Sequence, residues 1–233
     1  MLVRFHRFFV RYRLTGDQIV VTDGDFINQV SNVLRLTMGE KLVLCDEAGI
    51  ELLAEIISFR KDEILLKKLE VSKNINEPLK HITLYCSILK HDNFEIVTQK
   101  AVEVGVSEIV PIISLRTVKT NIRLERLEKI IKEAAEQAGR GIIPAIHGIM
   151  SFDEALSASD TNDVNIIFNV TGKEVPDKVG GSNRWGIFIG PEGGWDDIEL
   201  KKATNKNFDV FSLGKLTFRA ETAAIIGTYL LTK

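Results

Sequence analysis

Cysteine is nearly absent. Cys45 and Cys86 are the two in 233 residues, they lie far apart, and neither has a CxxC partner. Both sit in apolar, strand-like runs, which argues against a disulfide framework or a thiolate metal site and predicts buried free thiols. Histidine is scarce as well: His6, His81, His91 and His147 share no ligand spacing, so no metal is expected. No apolar run approaches the roughly 20 residues of a membrane span, and no membrane association is expected. The first residues, Met1-Leu2-Val3-Arg4-Phe5-His6-Arg7, lack an apolar h-region and a small-residue cleavage site. That predicts no signal peptide and a cytoplasmic location. Charge of one sign is missing too. A net charge of −2 carries no chain-wide nucleic-acid signature, so any such signal has to be local. There is no internal repeat, no low-complexity segment and no Gly-x-Ser-x-Gly elbow.

What is present is the composition of a folded protein, 45% hydrophobic and 27% charged, long enough for one large domain or two small ones. Residues 1–72 read as a β-rich unit. Phe8-Phe9-Val10, Gln18 to Val21, Lys41 to Cys45, Glu51 to Ile57 and Glu63 to Lys68 are short strand candidates, with one helix over Phe26 to Leu34. Many short strands with close turns predict a small barrel. A polar stretch ending at Pro78 marks a linker over residues 73–80. From residue 81 the rhythm changes to strands alternating with helices, through residue 233. Phe94, Val97, Ala101 and Val104 share one helical face, and so do Leu124, Leu127, Ile131, Ala134 and Ala138. Strands are expected at Ile82 to Leu89, Glu108 to Ile113, Val164 to Val170, Trp185 to Ile189 and Phe208 to Leu213, with a last helix from Ala220 to Leu231. This alternation predicts an α/β domain with a mostly parallel sheet covered on both faces, whose ligands bind at the carboxyl ends of the strands.

Two glycine-rich junctions fall at such ends. In the first, Ile187-Phe188-Ile189 runs into Gly190-Pro191-Glu192-Gly193-Gly194, and Asp196 with Glu199 forms a capping-box pattern for the next helix. Glycines without Cβ atoms present backbone closely to a ligand. Neither G-x-G-x-x-G nor GK[ST] is matched, which disfavours a dinucleotide or triphosphate. Glu192 would repel phosphate and suits a neutral or cationic ligand. In the second, Gly214 ends a strand and Arg219-Ala220-Glu221-Thr222 opens the last helix. Near the N-terminus, Arg4, Arg7, Arg11 and Arg13 are interleaved with aromatics and no acid. Such a run suits phosphates and unpaired bases, or equally a first strand with a solvated face. Arg140, just past a helix end, either complements the helix dipole or belongs to a site.

Taken together, these segments resemble one family. Lys90 to Val106 resembles its K-x-D-x-F-E-x-x-x-Q-K-x-x-E-x-G-V segment, and Glu136-Gln137-Ala138-Gly139-Arg140 its E-Q-x-x-R helix end. Gly190 to Gly194 resembles its G-P-E-G-G loop, and Leu213 to Ala223 its L-G-x-x-x-L-R-x-E-T-A segment. Arg7-Phe8-Phe9-Val10 and Val33-Leu34-Arg35-Leu36 resemble its R-F-F-V start and V-L-R-L stretch. The family is the RsmE-type branch of the SPOUT methyltransferases, which methylate N3 of a uridine in small-subunit (16S) ribosomal RNA. The chain departs from it at Asn28-Gln29, where a His pair is frequent, and at Thr217 and Phe218, where isoleucine and leucine are usual.

The resemblance implies a deep trefoil knot in the α/β domain, an exception to the rule against knots, and a PUA-like barrel in residues 1–72 that holds RNA. It implies S-adenosylmethionine held by Phe168, Asn169 and Val170, by Ile189, Gly190, Pro191, Glu192, Gly193 and Gly194, and by Leu213, Gly214, Thr217, Phe218, Arg219 and Thr222. It further implies a homodimer with its site at the subunit interface, and 16S ribosomal RNA or the small ribosomal subunit as partner, contacted by Arg4, Arg7, Arg11, Arg13 and Arg35. Methylating N3 requires removal of its proton or stabilisation of charge on the flanking carbonyl oxygens. Glu221 or Glu192 is expected as proton acceptor or orienter, with Arg140 and Arg219 on the uracil oxygens or a phosphate. Ribose 2′-oxygen methylation and a non-enzymatic RNA-binding module are the alternatives.

Overall fold

A computed structural model describes residues 5–46, 48–176 and 181–232. The chain divides into two compact units, one ending at Glu77 but also including Ala135–Ile143, the other comprising Pro78–Ala134 and the residues from Pro144 onward.

The first unit is a six-stranded sheet with the order β1-β4-β5-β6-β3-β2. Its strands are β1 (His6–Phe9), β2 (Arg13–Thr15), β3 (Gln18–Val21), β4 (Lys41–Cys45), β5 (Ile50–Arg60) and β6 (Glu63–Lys73). All pairings are antiparallel except β1 with β4. Alternate residues of β3, β5 and β6, such as Ile19, Val21, Leu52, Ala54, Ile64 and Leu66, bury into one core with Phe8 and Phe26. The helix expected over Phe26 to Leu34 is present as two pieces. In α1 (Gly24–Asn28) Asp23 caps the first turn, and the chain then widens into a π-helical turn at Gln29–Val33. The second piece has no side-chain cap of its own. Arg35 beyond it takes φ +55, a conformation uncommon outside glycine.

In the second unit every strand pairing is parallel. The order is β10-β8-β7-β12-β11-β13, with β9 beside β8. These strands are β7 (His81–Ser87), β8 (Glu108–Ile113), β9 (Ala145–Ile146), β10 (Met150–Ser151), β11 (Val164–Glu174), β12 (Arg184–Ile189) and β13 (Asp209–Ser212). The helices are α2 (Asn93–Glu103), α3 (Leu124–Ala138), α4 (Phe152–Ala158), α5 (Asp197–Asn205) and α6 (Ala220–Thr232). Parallel strands covered on both faces are buried along their length, as β7 is from Ile82 to Ser87 and β12 from Trp185 to Ile189. Tyr85, Val110, Ile167 and Phe188 pack under α4 with Phe152, Ala155 and Leu156. On the other side α6 packs against α2, β7 and β12. After β13 at the sheet edge, the chain returns to its centre before α6 begins. Both cysteines are free and buried, and burial pushes their thiols up, Cys45 to about 11.

The last turn of α3 belongs to the first unit. Glu136 is buried and accepts from the Phe9 amide at 2.9 Å. Arg140 follows Gly139 and donates to Glu77 from Nε at 3.0 Å and from Nη2 at 2.7 Å. Desolvation pushes the Glu77 carboxyl up. Hydrogen bonds and charge from Arg140, with the Gly141 and Ile142 amides, more than offset this and hold it below the usual carboxylate range. A carboxyl lowered in the folded state contributes stability above its unfolded value, and that stability is lost as pH falls through the lower folded value. Arg140→Ala strands this carboxylate and is expected to cost about 2 kcal/mol, lowering Tm by roughly 5 °C. It should also shrink the loss of stability on acidification below pH 4.5, the ordinary carboxyl value. Thermal melts at pH 7 and pH 4 read both effects, and an unchanged Tm at pH 7 removes the pair from the stability of this unit.

Candidate functional site

A cavity of about 610 Å³ opens at the carboxyl ends of β12, β11 and β13, which are neighbours in the sheet. Three loops build it. The first is an excursion of β11: Phe168 and Lys173 both pair with Phe211 of β13, so residues 169–172 bow out of the ladder, and Asn169 and Val170 line the cavity. The excursion closes at Gly172, where a Cβ would lie 2.4 Å from the Phe211 carbonyl carbon. Glycine alone lets the two strands meet again there.

The second loop is the turn after Ile189. A Cβ on Gly190 would lie 3.1 Å from the Trp195 ring. That ring is buried, and its Nε1 donates to the Phe168 carbonyl at 3.0 Å, tying the turn to β11. Gly193 is less confined, since its Cβ would meet Arg116 at an ordinary 3.5 Å. Arg116 braces the turn by donating to the Gly193 carbonyl at 3.0 Å and to Asp196 at 3.2 Å. The capping box anticipated from the sequence starts α5. Asp196 accepts from the Ile198 amide at 3.1 Å, and Glu199 accepts from the Asp196 amide at 2.9 Å. The Ile198 amide, helped by Arg116, holds the Asp196 carboxyl below its usual range against an opposing desolvation. The other oxygen of buried Glu199 accepts from the Leu115 amide at 2.9 Å. A carboxylate with both oxygens engaged is one that burial tolerates.

The third loop follows β13. The Ser212 hydroxyl accepts from the Gly214 amide at 3.1 Å, and residues 216–219 then lead into α6. Glu221, in the first turn of α6, lines the cavity with 15% of its side chain exposed. Its Oε2 is buried and has no hydrogen-bond partner among the described residues. Arg219 stands at the rim, its side chain 87% exposed and its Nη1 4.0 Å from Glu221 Oε1.

Every residue expected to hold the cofactor lines this cavity except Thr222, the next residue of α6 after Glu221. Glu192 lines it too, but is exposed, and Oε1 accepts from the Lys90 amide at 2.8 Å. Arg140 is not among the lining residues. Asn93, Trp195, Leu216, Ala220 and Ala223 line the cavity beyond the residues expected for the cofactor or for catalysis. Asn93 had a usable signal, being the first residue of a helix that follows a strand of the same sheet. The expected RNA contacts separate by environment. Arg4 lies outside the described residues. Arg7 has 14% of its side chain exposed and is paired with Glu51, donating from Nη1 at 3.1 Å. Arg11, Arg13 and Arg35 are exposed. Among the described residues no group of three or more His, Cys, Asp or Glu could hold a metal ion, and no helix is long and apolar enough to cross a membrane.

The RNA methyltransferase domain family matches residues 76–232, and the RNA methyltransferase PUA domain matches residues 32–69. A ribosomal RNA small subunit methyltransferase E from Mesomycoplasma hyopneumoniae is 37% identical over 71% of this chain and 74% of its own length. Its counterpart from Bacillus subtilis is 28% identical over 87% of this chain and 85% of its own length. Among solved structures, the ribosomal RNA small subunit methyltransferase E of Neisseria gonorrhoeae bound to S-adenosylmethionine is similar with a TM-score of 0.87. It is 30% identical, covering 97% of this chain and 95% of that one.

Proposed function

The chain belongs to the ribosomal RNA small subunit methyltransferase E family, and from that premise we propose that it methylates N3 of a uridine in 16S small-subunit ribosomal RNA. It is an S-adenosylmethionine-dependent RNA methyltransferase. The cavity fits that donor on its own chemistry. Its 610 Å³ is within the range of small-molecule sites. Backbone from three strand ends is bared by glycine and by the bow in β11. The carboxylates near it, Glu192 and Glu221, suit a cation and would repel phosphate. S-adenosylmethionine, when bound, supplies a methyl group activated on a sulfonium cation.

Uracil N3 carries a proton at neutral pH and lies on the pairing edge, so the base must be unpaired or flipped to reach the cavity. Glu221 is assigned as the proton acceptor. The single observation carrying this is its buried, unpartnered Oε2 at the cavity wall. Native structures rarely leave a buried polar atom without a partner, and a group about to accept a proton is a physical reason for one. Arg219, exposed at the rim, is assigned to the uracil oxygens or an adjoining phosphate. Arg140 is held by Glu77 and enters this reading as a support for the end of α3. RNA is contacted by the exposed Arg11, Arg13 and Arg35 of the first unit. A homodimer belongs to the same reading, because Ile96 on α2 and Tyr229 and Leu230 on α6 expose apolar surface. Sedimentation equilibrium reads that state.

Nucleoside mass mapping of small-subunit RNA from cells lacking the protein tests the activity. A missing N3-methyluridine, restored by the purified protein with S-adenosylmethionine, is expected. Loss of a ribose-methylated nucleoside would reassign the position, and no saturable heat with S-adenosylmethionine in calorimetry would remove the enzyme reading.

A further inference from the structure

One oxygen of Glu192 is committed within the fold. Its carboxylate bonds the Lys90 backbone amide across a gap of 102 positions in sequence. The segment it holds is a short one between β7 and α2 in which His91 takes φ +52. A side chain in that left-handed region costs on the order of 1 kcal/mol and persists where its surroundings dictate it. A second tie acts on the same segment, since Lys119 Nζ donates to the His91 carbonyl at 2.7 Å. Arg116, from the same loop as Lys119, holds the Gly193 carbonyl. The cofactor turn, the segment around His91 and the loop after β8 are therefore bonded into one rim, and Asn93 at the end of that segment lines the cavity.

The rim carries cations that its acids leave unpaired. Lys90 and Arg123 are exposed and Lys119 is half-buried. Among the described residues none of these three lies within ion-pair distance of a carboxylate, whereas neighbouring Arg116 and Arg126 are paired with Asp196 and Glu95. Asp92, Glu95 and, beside Arg123, Glu125 are the acids nearby in sequence. Glu95 is occupied by both Nε and Nη2 of Arg126, and Arg123 and Lys119 add to the field that keeps its carboxyl low. Lys119 commits one of the three donors of its ammonium to His91 and keeps the others for a ligand. Cations left unpaired beside a cavity, on backbone tied at both ends, suit a polyanion and cost little to arrange when it arrives.

We propose that Lys90, Lys119 and Arg123 form a second RNA-phosphate site at the rim of the methyl-donor cavity, and that Glu192 is the positioning residue that fastens this site to the cofactor turn. The proposal rests on the RNA-methylation reading above. It assigns Glu192 to geometry, leaving proton transfer to Glu221. It also gives the target strand an anchor in the catalytic unit itself, close to where its base must enter.

Two sets of variants test it, with small ribosomal subunits from cells lacking the protein as the probe. Lys119→Ala combined with Arg123→Ala should weaken binding about tenfold or more. The plot of log affinity against log salt should become shallower by about 0.7–0.9 per lost contact, with S-adenosylmethionine affinity by calorimetry unchanged. Glu192→Ala should raise KM for the subunits several-fold with a smaller change in kcat. Glu192→Gln, whose carbonyl still accepts from the Lys90 amide, should recover most of that loss. An unchanged salt slope in the folded double variant overturns the phosphate site and returns RNA contact to Arg11, Arg13 and Arg35. Equal losses of kcat in Glu192→Ala and Glu192→Gln overturn the positioning role, because the charge rather than the acceptor would then matter. Failure of the activity reading looks different: the wild type would transfer no methyl group to any nucleoside, while the salt slope would still report the site.

Discussion

Replacing Glu221 by Gln is expected to lower single-turnover methylation by about 10²-fold or more, the usual scale for a lost proton acceptor. The expected stability change has the opposite sign from most core substitutions. Glu221 buries a carboxylate oxygen that nothing in the described structure satisfies, and Arg219 reaches its other oxygen at 4.0 Å, the outer limit of an ion pair. Removing charge from such a group relieves a desolvation penalty. Tm should therefore hold or rise while turnover collapses, as expected where a functional site keeps an unfavourable group. S-adenosylmethionine affinity should change far less than turnover. Two outcomes reject this assignment. Wild-type turnover at saturating RNA and cofactor would show that Glu221 accepts no proton. A loss confined to cofactor affinity would place the carboxylate against the sulfonium instead.

Gly190→Val is expected to abolish measurable S-adenosylmethionine binding, weakening it by about 10²-fold or more. The physical reason lies in what surrounds the position. A Cβ there already stands 3.1 Å from the Trp195 ring, and the γ-methyls of valine extend further. Trp195 cannot retreat cheaply, since it is buried and its Nε1 bond to the Phe168 carbonyl joins two of the three cavity loops. The clash should therefore spread from the turn to the end of β11. Gly193→Val is the informative comparison, because the protein leaves ordinary space at that Cβ beside Arg116. It should lose affinity only by obstructing the ligand. The tryptophan fluorescence of ligand-free protein separates the two, with a shift expected for Gly190→Val and none for Gly193→Val. Tight cofactor binding by folded Gly190→Val would remove this turn from the site.

The elements that local chemistry decides were legible along the chain. Glu108–Ile113 is a strand with the expected bounds, because a continuous apolar run between turn signals has few other ways to bury itself. The face Leu124, Leu127, Ile131 and Ala134 sits on α3, which ends at Gly139 with φ +79. Asp196 and Glu199 close the capping box that their spacing announced. The glycine-rich turn could be recognised as close-approach backbone, but its tightest glycine could not. That depends on Trp195, whose position follows from a bond to a strand 27 residues away in sequence.

The partners of the charged groups were beyond reach of the sequence, for the same reason. Arg7 reads as a nucleic-acid arginine until Glu51, on β5, is seen to hold it. Arg140 reads as a catalytic arginine or a helix-end charge until Glu77 accepts three of its hydrogen bonds. Glu192 reads as a carboxylate facing a cation, and only the fold shows that one of its oxygens also holds the Lys90 amide. Hydrophobic period and turn chemistry are properties of residues within about a dozen positions of one another, and the linear order carries them. A charge acquires its meaning from whatever opposite group the fold brings within 4 Å. For this chain those groups come from 44, 63 and 102 positions away, distances that only the tertiary structure spans.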